Sequence, residues 1–198
     1  GAGRTDTGVH AKKMFAHFDF DGEISEKLVH QLNSFLPPSI AVKKIFEVKE
    51  DFHARFSAKY RTYEYYISLE KNPFSEKFAW QHWRKSLDVE KMNEACKILF
   101  EYEDFGSFAK VGADNKTNIC KIYHANWEQN GNELKFTISA DRFLRNMVRA
   151  IVGTMVEIGS GKLKPADLRN VIEAKNRGVA GTSAPAHALF LVDVGYDF

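Results

Sequence analysis

The stretch between residues 120 and 140 constrains the fold more than any other. Alternating apolar positions run from Cys120 to Gln129, break at Asn130-Gly131-Asn132, and resume from Leu134 to Ala140. Asn-Gly between two alternating runs is a strong hairpin signal, because these residues accept the positive φ that a tight turn needs. A hairpin of this kind buries one side only, so the rest of the chain must cover it. Helical spacing supplies the cover. Met92, Ala95, Cys96 and Leu99 form one face of a helix capped by Asp88 and running from Val89 to about Tyr102. Leu144, Met147, Val148, Ile151, Val152 and Met155 form another over Phe143 to Gly159, and Pro165 to Asn176 reads as a third helix.

In the first half, Ser25 caps a helix to Phe35, with Leu28, Val29 and Leu32 on its apolar side, and Leu36-Pro37-Pro38 ends it. Alternation and β-branching predict strands at Met14 to Phe20, Ile40 to Val48, Ala58 to Leu69 and Ala188 to Tyr196. Antiparallel strands interleaved with helices of this length predict an α+β fold, helices on one face of the sheet and the other face free for a ligand. A domain boundary is expected near Phe52 to Ala58.

With 28 Lys and Arg against 26 Asp and Glu, the net charge of +2 carries no basic tail, so any electrostatic footprint must come from clustering. Two cysteines, Cys96 and Cys120, cannot build a disulfide framework or a four-ligand zinc site, which predicts a reducing compartment and no metal. The apolar run Met147 to Ile158 is broken by Arg149, Gly153 and Glu157 and falls short of a membrane span, so the expectation is a soluble, cytoplasmic protein. The chain opens at Gly1 in a glycine-rich turn, where a natural fold seldom starts; a shortened form of a longer protein is expected.

Three segments could carry chemistry. In Gly1-Ala2-Gly3-Arg4-Thr5-Asp6-Thr7-Gly8-Val9-His10-Ala11, a dinucleotide fingerprint would need glycine at Asp6, and a P-loop would need Lys-Ser or Lys-Thr after its last glycine. What remains is an acid in a tight turn with Arg4 beside it; the plainer alternative is a surface turn in which Asp6 bonds a backbone amide. On the strand around residue 62, alternation puts Lys59, Arg61, Tyr63 and Tyr65 on one face. Cations that hold phosphates beside rings that stack on bases suit unpaired nucleotides, although tyrosines also simply suit half-buried strands. In Arg142 to Gly153, the helical spacing puts Arg142, Arg145, Asn146, Arg149 and Gly153 along one side, with a solvated charged face as the alternative. A glycine inside a helix costs roughly 1 kcal/mol against alanine, which is tolerable where something must pack close beside Arg149.

Together these segments closely resemble the tRNA pseudouridine synthase A family. The match to Gly3 through Ala11 is highly specific. It is reinforced in order by Leu36-Pro37-Pro38, by Phe52-His53-Ala54-Arg55-Phe56-Ser57-Ala58 with Arg61, Tyr63 and Tyr65, by Asp104-Phe105 with Ser107-Phe108, and by Phe143 to Gly153. The resemblance covers essentially the whole chain but lacks the strand and helix that open other members. It implies a pseudouridine-synthase fold, a mixed, mostly antiparallel sheet in two ferredoxin-like halves around a basic cleft. Residues 1–55 would be the remainder of an N-terminal α+β domain carrying the aspartate loop, and residues 56–198 a C-terminal α+β domain.

By the same resemblance the chain isomerises uridine to pseudouridine at positions 38 to 40 of the tRNA anticodon stem-loop, without cofactor or metal, as a homodimer spanned by tRNA. Asp6 matches the catalytic aspartate, Tyr63 the tyrosine that stacks on the target base, and Arg149 the basic partner that keeps the aspartate ionised. Arg4 matches the residue that fills the space of the extruded uridine. Arg61, Tyr65, Arg142 and Arg145 are expected to contact substrate, with Lys110, Lys162 and Lys164 as further phosphate contacts. Two rivals remain open at this point: an RNA-binding protein without catalysis, and a hydrolase using Asp6 as nucleophile, which would ordinarily need a second acid.

Overall fold

A computed structural model describes residues 1–83, 86–113 and 115–198. The hairpin forms as its sequence requires. Strands β4 (Ile122–Asn130) and β5 (Glu133–Ala140) pair antiparallel, with Gly131 at φ 56° in the turn. The long tyrosine-rich segment is β2 (Tyr60–Ser68), antiparallel to β5 on one side and to β6 (Leu189–Gly195) on the other. A two-residue strand β1 (His10–Ala11) adds parallel to β6, and β3 (Trp80–Gln81) adds parallel to the end of β2. The sheet is therefore mixed and mostly antiparallel, in the order β1-β6-β2-β5-β4.

Register decides which face is buried. Tyr63, Tyr65 and Ile67 lie opposite Ile138, Phe136 and Leu134, and this face carries the core. Helices α2 (Val89–Leu99) and α3 (Met147–Gly159) cover it, while α1 (Leu28–Phe35) and α4 (Asp167–Glu173) are shorter. Asp88 caps α2 through its carboxylate, which accepts from the Lys91 amide at 3.0 Å. The opposite face is polar: Thr62 donates to Ser139 Oγ at 3.1 Å, and Lys12 pairs with Glu64 at 2.7 Å. Among the described residues no helix is long and apolar enough to cross a membrane.

Several expectations change. Residues 14–20 and 40–48 alternate as strands do but join no ladder. The Phe15 carbonyl accepts from the Ala2 amide, and Val42 exchanges both backbone bonds with the Asn33 amide, so side chain and loop take the place of a neighbouring strand. In α1 the faces of Leu28, Val29 and Leu32 are only half-buried, and the helix starts at Leu28 rather than at Ser25. The helix expected from Phe143 starts at Met147, because Asn146 sits at φ 68° and ends the preceding turn in a left-handed conformation. Arg142 and Arg145 are consequently loop residues, and only Arg149 projects from the helix. The polar sheet face is not where the cleft lies.

Candidate active site

A cleft of about 680 Å³ opens where the sheet's buried face emerges from under α3. Its walls are the 2–9 loop, the crossing segment at Arg55 to Lys59, the start of β2, and residues 141–149.

The aspartate loop is built by its backbone. Gly8 adopts φ 89°, and the Val9 amide donates to the Asp6 carbonyl at 3.2 Å, closing a turn that presents the Asp6 side chain to the cleft. Ala2 anchors the loop, 1 % exposed against Leu191 and Val194. Arg61 ties the walls together: its guanidinium donates to the carbonyls of Ala2 at 3.1 Å, Asp141 at 3.1 Å and Ala58 at 3.4 Å, and also to that of Arg55. Four carbonyls around one guanidinium leave it little to offer a phosphate, so Arg61 acts as a brace rather than the substrate contact expected from the strand pattern. Burial also pulls its pKa down.

Arg149 Nη1 donates to Asp6 Oδ2 at 2.7 Å, and Arg145 Nε approaches Asp6 Oδ1 at 3.5 Å. The Asp6 side chain is 16 % exposed and that of Arg149 20 %, so the pair is shielded but still open to a ligand. Residues 143 positions apart in the chain thus meet at one point of the cleft wall. Arg145, expected to touch substrate, is a second cation on the aspartate. Tyr63 lines the same cleft, its ring edge-on to Phe143 at 5.2 Å between centroids. Burial pushes its hydroxyl up to about 12, with the Asp6 charge adding to the rise and the Arg61 charge opposing it. The phenol therefore stays protonated at neutral pH.

Tyr65 does not reach the cleft. It is 0 % exposed, its hydroxyl donates to the Pro185 carbonyl at 3.0 Å, and burial pushes its pKa up. Alternation put it on the right face, but that face runs from the cleft into the core within two residues. Arg4 and Arg142 do line the cleft, and among the described residues neither guanidinium forms an ion pair. Arg55, part of the Phe52 to Ala58 motif, joins them: its pKa is lowered by burial and by the charges of Arg4 and Arg142. Lys110 donates its amide to the Arg145 carbonyl at 2.9 Å and so supports the loop, while Lys162 and Lys164 follow the far end of α3 and do not line the cleft.

A passive binding surface for a polyanion gains nothing from a carboxylate among its cations, since the carboxylate repels the ligand it should hold. A carboxylate oxygen paired with a guanidinium at the wall of an open cleft has the chemistry of a general base or a nucleophile, and Arg4, Arg55 and Arg142 around the same cleft suit an anionic substrate, the pattern of an acid–base or nucleophilic enzyme. Comparison with known proteins agrees. Residues 95–197 match a family described as tRNA pseudouridine synthase. The chain is 57 % identical over 198 residues to the tRNA pseudouridine synthase A of Parabacteroides distasonis, covering 99 % of this chain and 78 % of that protein. It is 56 % identical to that of Bacteroides fragilis, over 99 % of this chain and 79 % of the relative, and 40 % identical to that of Bacillus subtilis, over 99 % and 80 %. The chain belongs to the tRNA pseudouridine synthase family.

Proposed function

We propose that this chain isomerises uridine to pseudouridine in the anticodon stem-loop of tRNA, at positions 38, 39 and 40. The observation that carries the reading is the 2.7 Å pair between Asp6 and Arg149 at the wall of the cleft, with Tyr63 beside it. The reaction conserves its atoms: the N1–C1′ bond breaks, the uracil turns in place, C5 bonds C1′, and the proton leaving C5 is balanced by one gained at N1. Asp6 supplies the carboxylate oxygen that attacks or accepts the proton, and Arg149 Nη1, bonded to Oδ2, fixes where the carboxylate points. Tyr63, protonated at working pH, offers a ring against the base and a hydrogen-bond donor. Arg4 occupies the place of the extruded nucleotide, because chemistry on a base requires it to leave the stack.

Arg142 and Arg145 meet the backbone phosphates, Arg145 from its place beside Asp6, and Arg4 and Arg55 on the cleft wall support a basic character for the cleft. The reading extends to two α+β units, residues 1–55 and 56–198, arranged as ferredoxin-like halves, and to a cytoplasmic homodimer spanned by tRNA; these rest on the family. Replacing Asp6→Asn keeps the shape and removes the charge. Pseudouridine formation should fall by roughly 10²–10⁴-fold while tRNA binding persists. Undiminished turnover would overturn the proposal, and loss of binding alone would favour a passive RNA-binding role.

A further inference from the structure

An arginine on a helix surface has many rotamers, and one ion pair does not select among them. Arg149 is selected from behind. Its Nε donates to the Ala184 carbonyl at 2.6 Å, which leaves Nη1 aimed at Asp6. Ala184 adds a second bond, from its own amide to the Arg149 carbonyl at 3.0 Å. One residue therefore grips both the side chain and the main chain of Arg149.

Ala184 is 2 % exposed and belongs to an irregular strap over residues 181–185 that pairs with no strand. Three hydrogen bonds hold the strap to α3 and to the residues around it. At one end the Gly181 amide donates to the buried Thr154 hydroxyl at 2.9 Å. Beside it, Ser183 Oγ accepts from Asn146 Nδ2 at 2.7 Å and from Arg177 Nη2 at 2.8 Å, which fills both lone pairs of that hydroxyl. Asn146 holds its left-handed conformation directly after Arg145, the other guanidinium facing Asp6.

We infer that Ser183, with Arg177 and Asn146, positions the reaction's Arg149: together they hold the strap so that the Ala184 carbonyl orients the guanidinium on Asp6. Ser183 and Arg177 lie outside the cleft lining and act through Arg149. The inference rests on the reading of Asp6 and Arg149 as catalytic.

The test is a double-mutant cycle. Ser183→Ala is made in the wild type and in an Arg149→Lys background, where a positive charge remains but no Nε–H is left to bond Ala184 while reaching Asp6. Single-turnover pseudouridine formation and tRNA affinity are measured separately. In the wild type, Ser183→Ala should slow the chemical step about 10-fold with affinity changed less than about 2-fold, since small misplacements of a reacting group cost rate before binding. In the Lys background it should change the rate less than about 2-fold, because the group it orients is gone. Equal losses in both backgrounds, or no loss in the wild type, would overturn the positioning role alone. An Arg149→Lys chain as fast as the wild type would overturn the catalytic reading of Arg149 itself. Asn146→Gly supplies an independent variant that relieves the positive φ while removing the amide. The same non-additivity is expected there, and additivity would count equally against the inference.

Discussion

Replacing Gly153→Ala sets two physical effects against each other. In a helix interior alanine is favoured over glycine by about 1 kcal/mol, so propensity alone predicts a gain. The structure predicts a loss. An added Cβ at residue 153 would stand 1.8 Å from the Thr182 carbonyl oxygen, which is backbone and cannot rotate away. Ordinary contact needs about 3.5 Å, so the strap must retreat by roughly 1.7 Å. That motion breaks the 2.9 Å bond from Gly181 to Thr154 and the 2.6 Å bond from Arg149 to Ala184. A neutral bond contributes about 1 kcal/mol and a charged one about 1.5–3, so the balance after the propensity gain of about 1 kcal/mol is a loss of about 1.5–3 kcal/mol. Urea denaturation should show the midpoint falling with an unchanged slope, and the melting temperature should drop by roughly 5 °C. Pseudouridine formation should fall with it, because Arg149 loses its orienting carbonyl. A variant more stable than the parent would refute the steric reasoning and the close approach of strap and helix behind it.

Tyr65→Phe should destabilise the chain by about 1–2 kcal/mol, read by denaturation, because the partly buried Pro185 carbonyl loses its donor; tRNA affinity should not change, and a weakened affinity at unchanged stability would return Tyr65 to the cleft. Tyr63 provides a pH test. Its pKa is raised to about 12 in the fold and lies near 10 when unfolded, so the folded state holds the proton longer and stability should decline as pH rises from about 10 toward 12. Tyr63→Phe should flatten that decline, and an identical pH dependence in the variant would contradict the burial assigned to the hydroxyl.

The elements of the second half were legible because each buries a dense apolar face against a partner that the chain itself supplies. The hairpin turn, the Asp88 cap and the stripe from Leu144 to Met155 are local signals that packing reinforces. Residues 14–20 and 40–48 show where local signals stop, since alternation makes a strand possible but only a neighbour's ladder makes it one. Asn146 marks a different limit: the apolar spacing passes smoothly through it, and a single left-handed residue moves the helix start past Arg142 and Arg145. At the site, chemistry alone left Asp6 between an acid and a turn residue, and resemblance to a family raised it to a catalyst. The Ala184 carbonyl that orients Arg149 had no signal at all, because any residue can supply a main-chain oxygen.

One face of β2 shows why the cleft lies where it does. Lys59, Arg61, Tyr63 and Tyr65 share that face, yet they meet four environments in succession: Lys59 pairs with Asp197 in solvent at 3.0 Å, Arg61 braces four carbonyls, Tyr63 walls the cleft, and Tyr65 is core. Burial rises along the strand because α3 and the strap cover its far end and leave its near end open. A nucleobase can therefore meet this face only next to Tyr63, in the short gap between the brace and the core. Asp6 reaches that gap from the 2–9 loop, and Arg149 reaches it from the first turn of α3. The left-handed turn at Asn146 ends the 142–146 loop and starts the helix there, so the same residue that delimits the opening also holds the strap that aims the guanidinium into it.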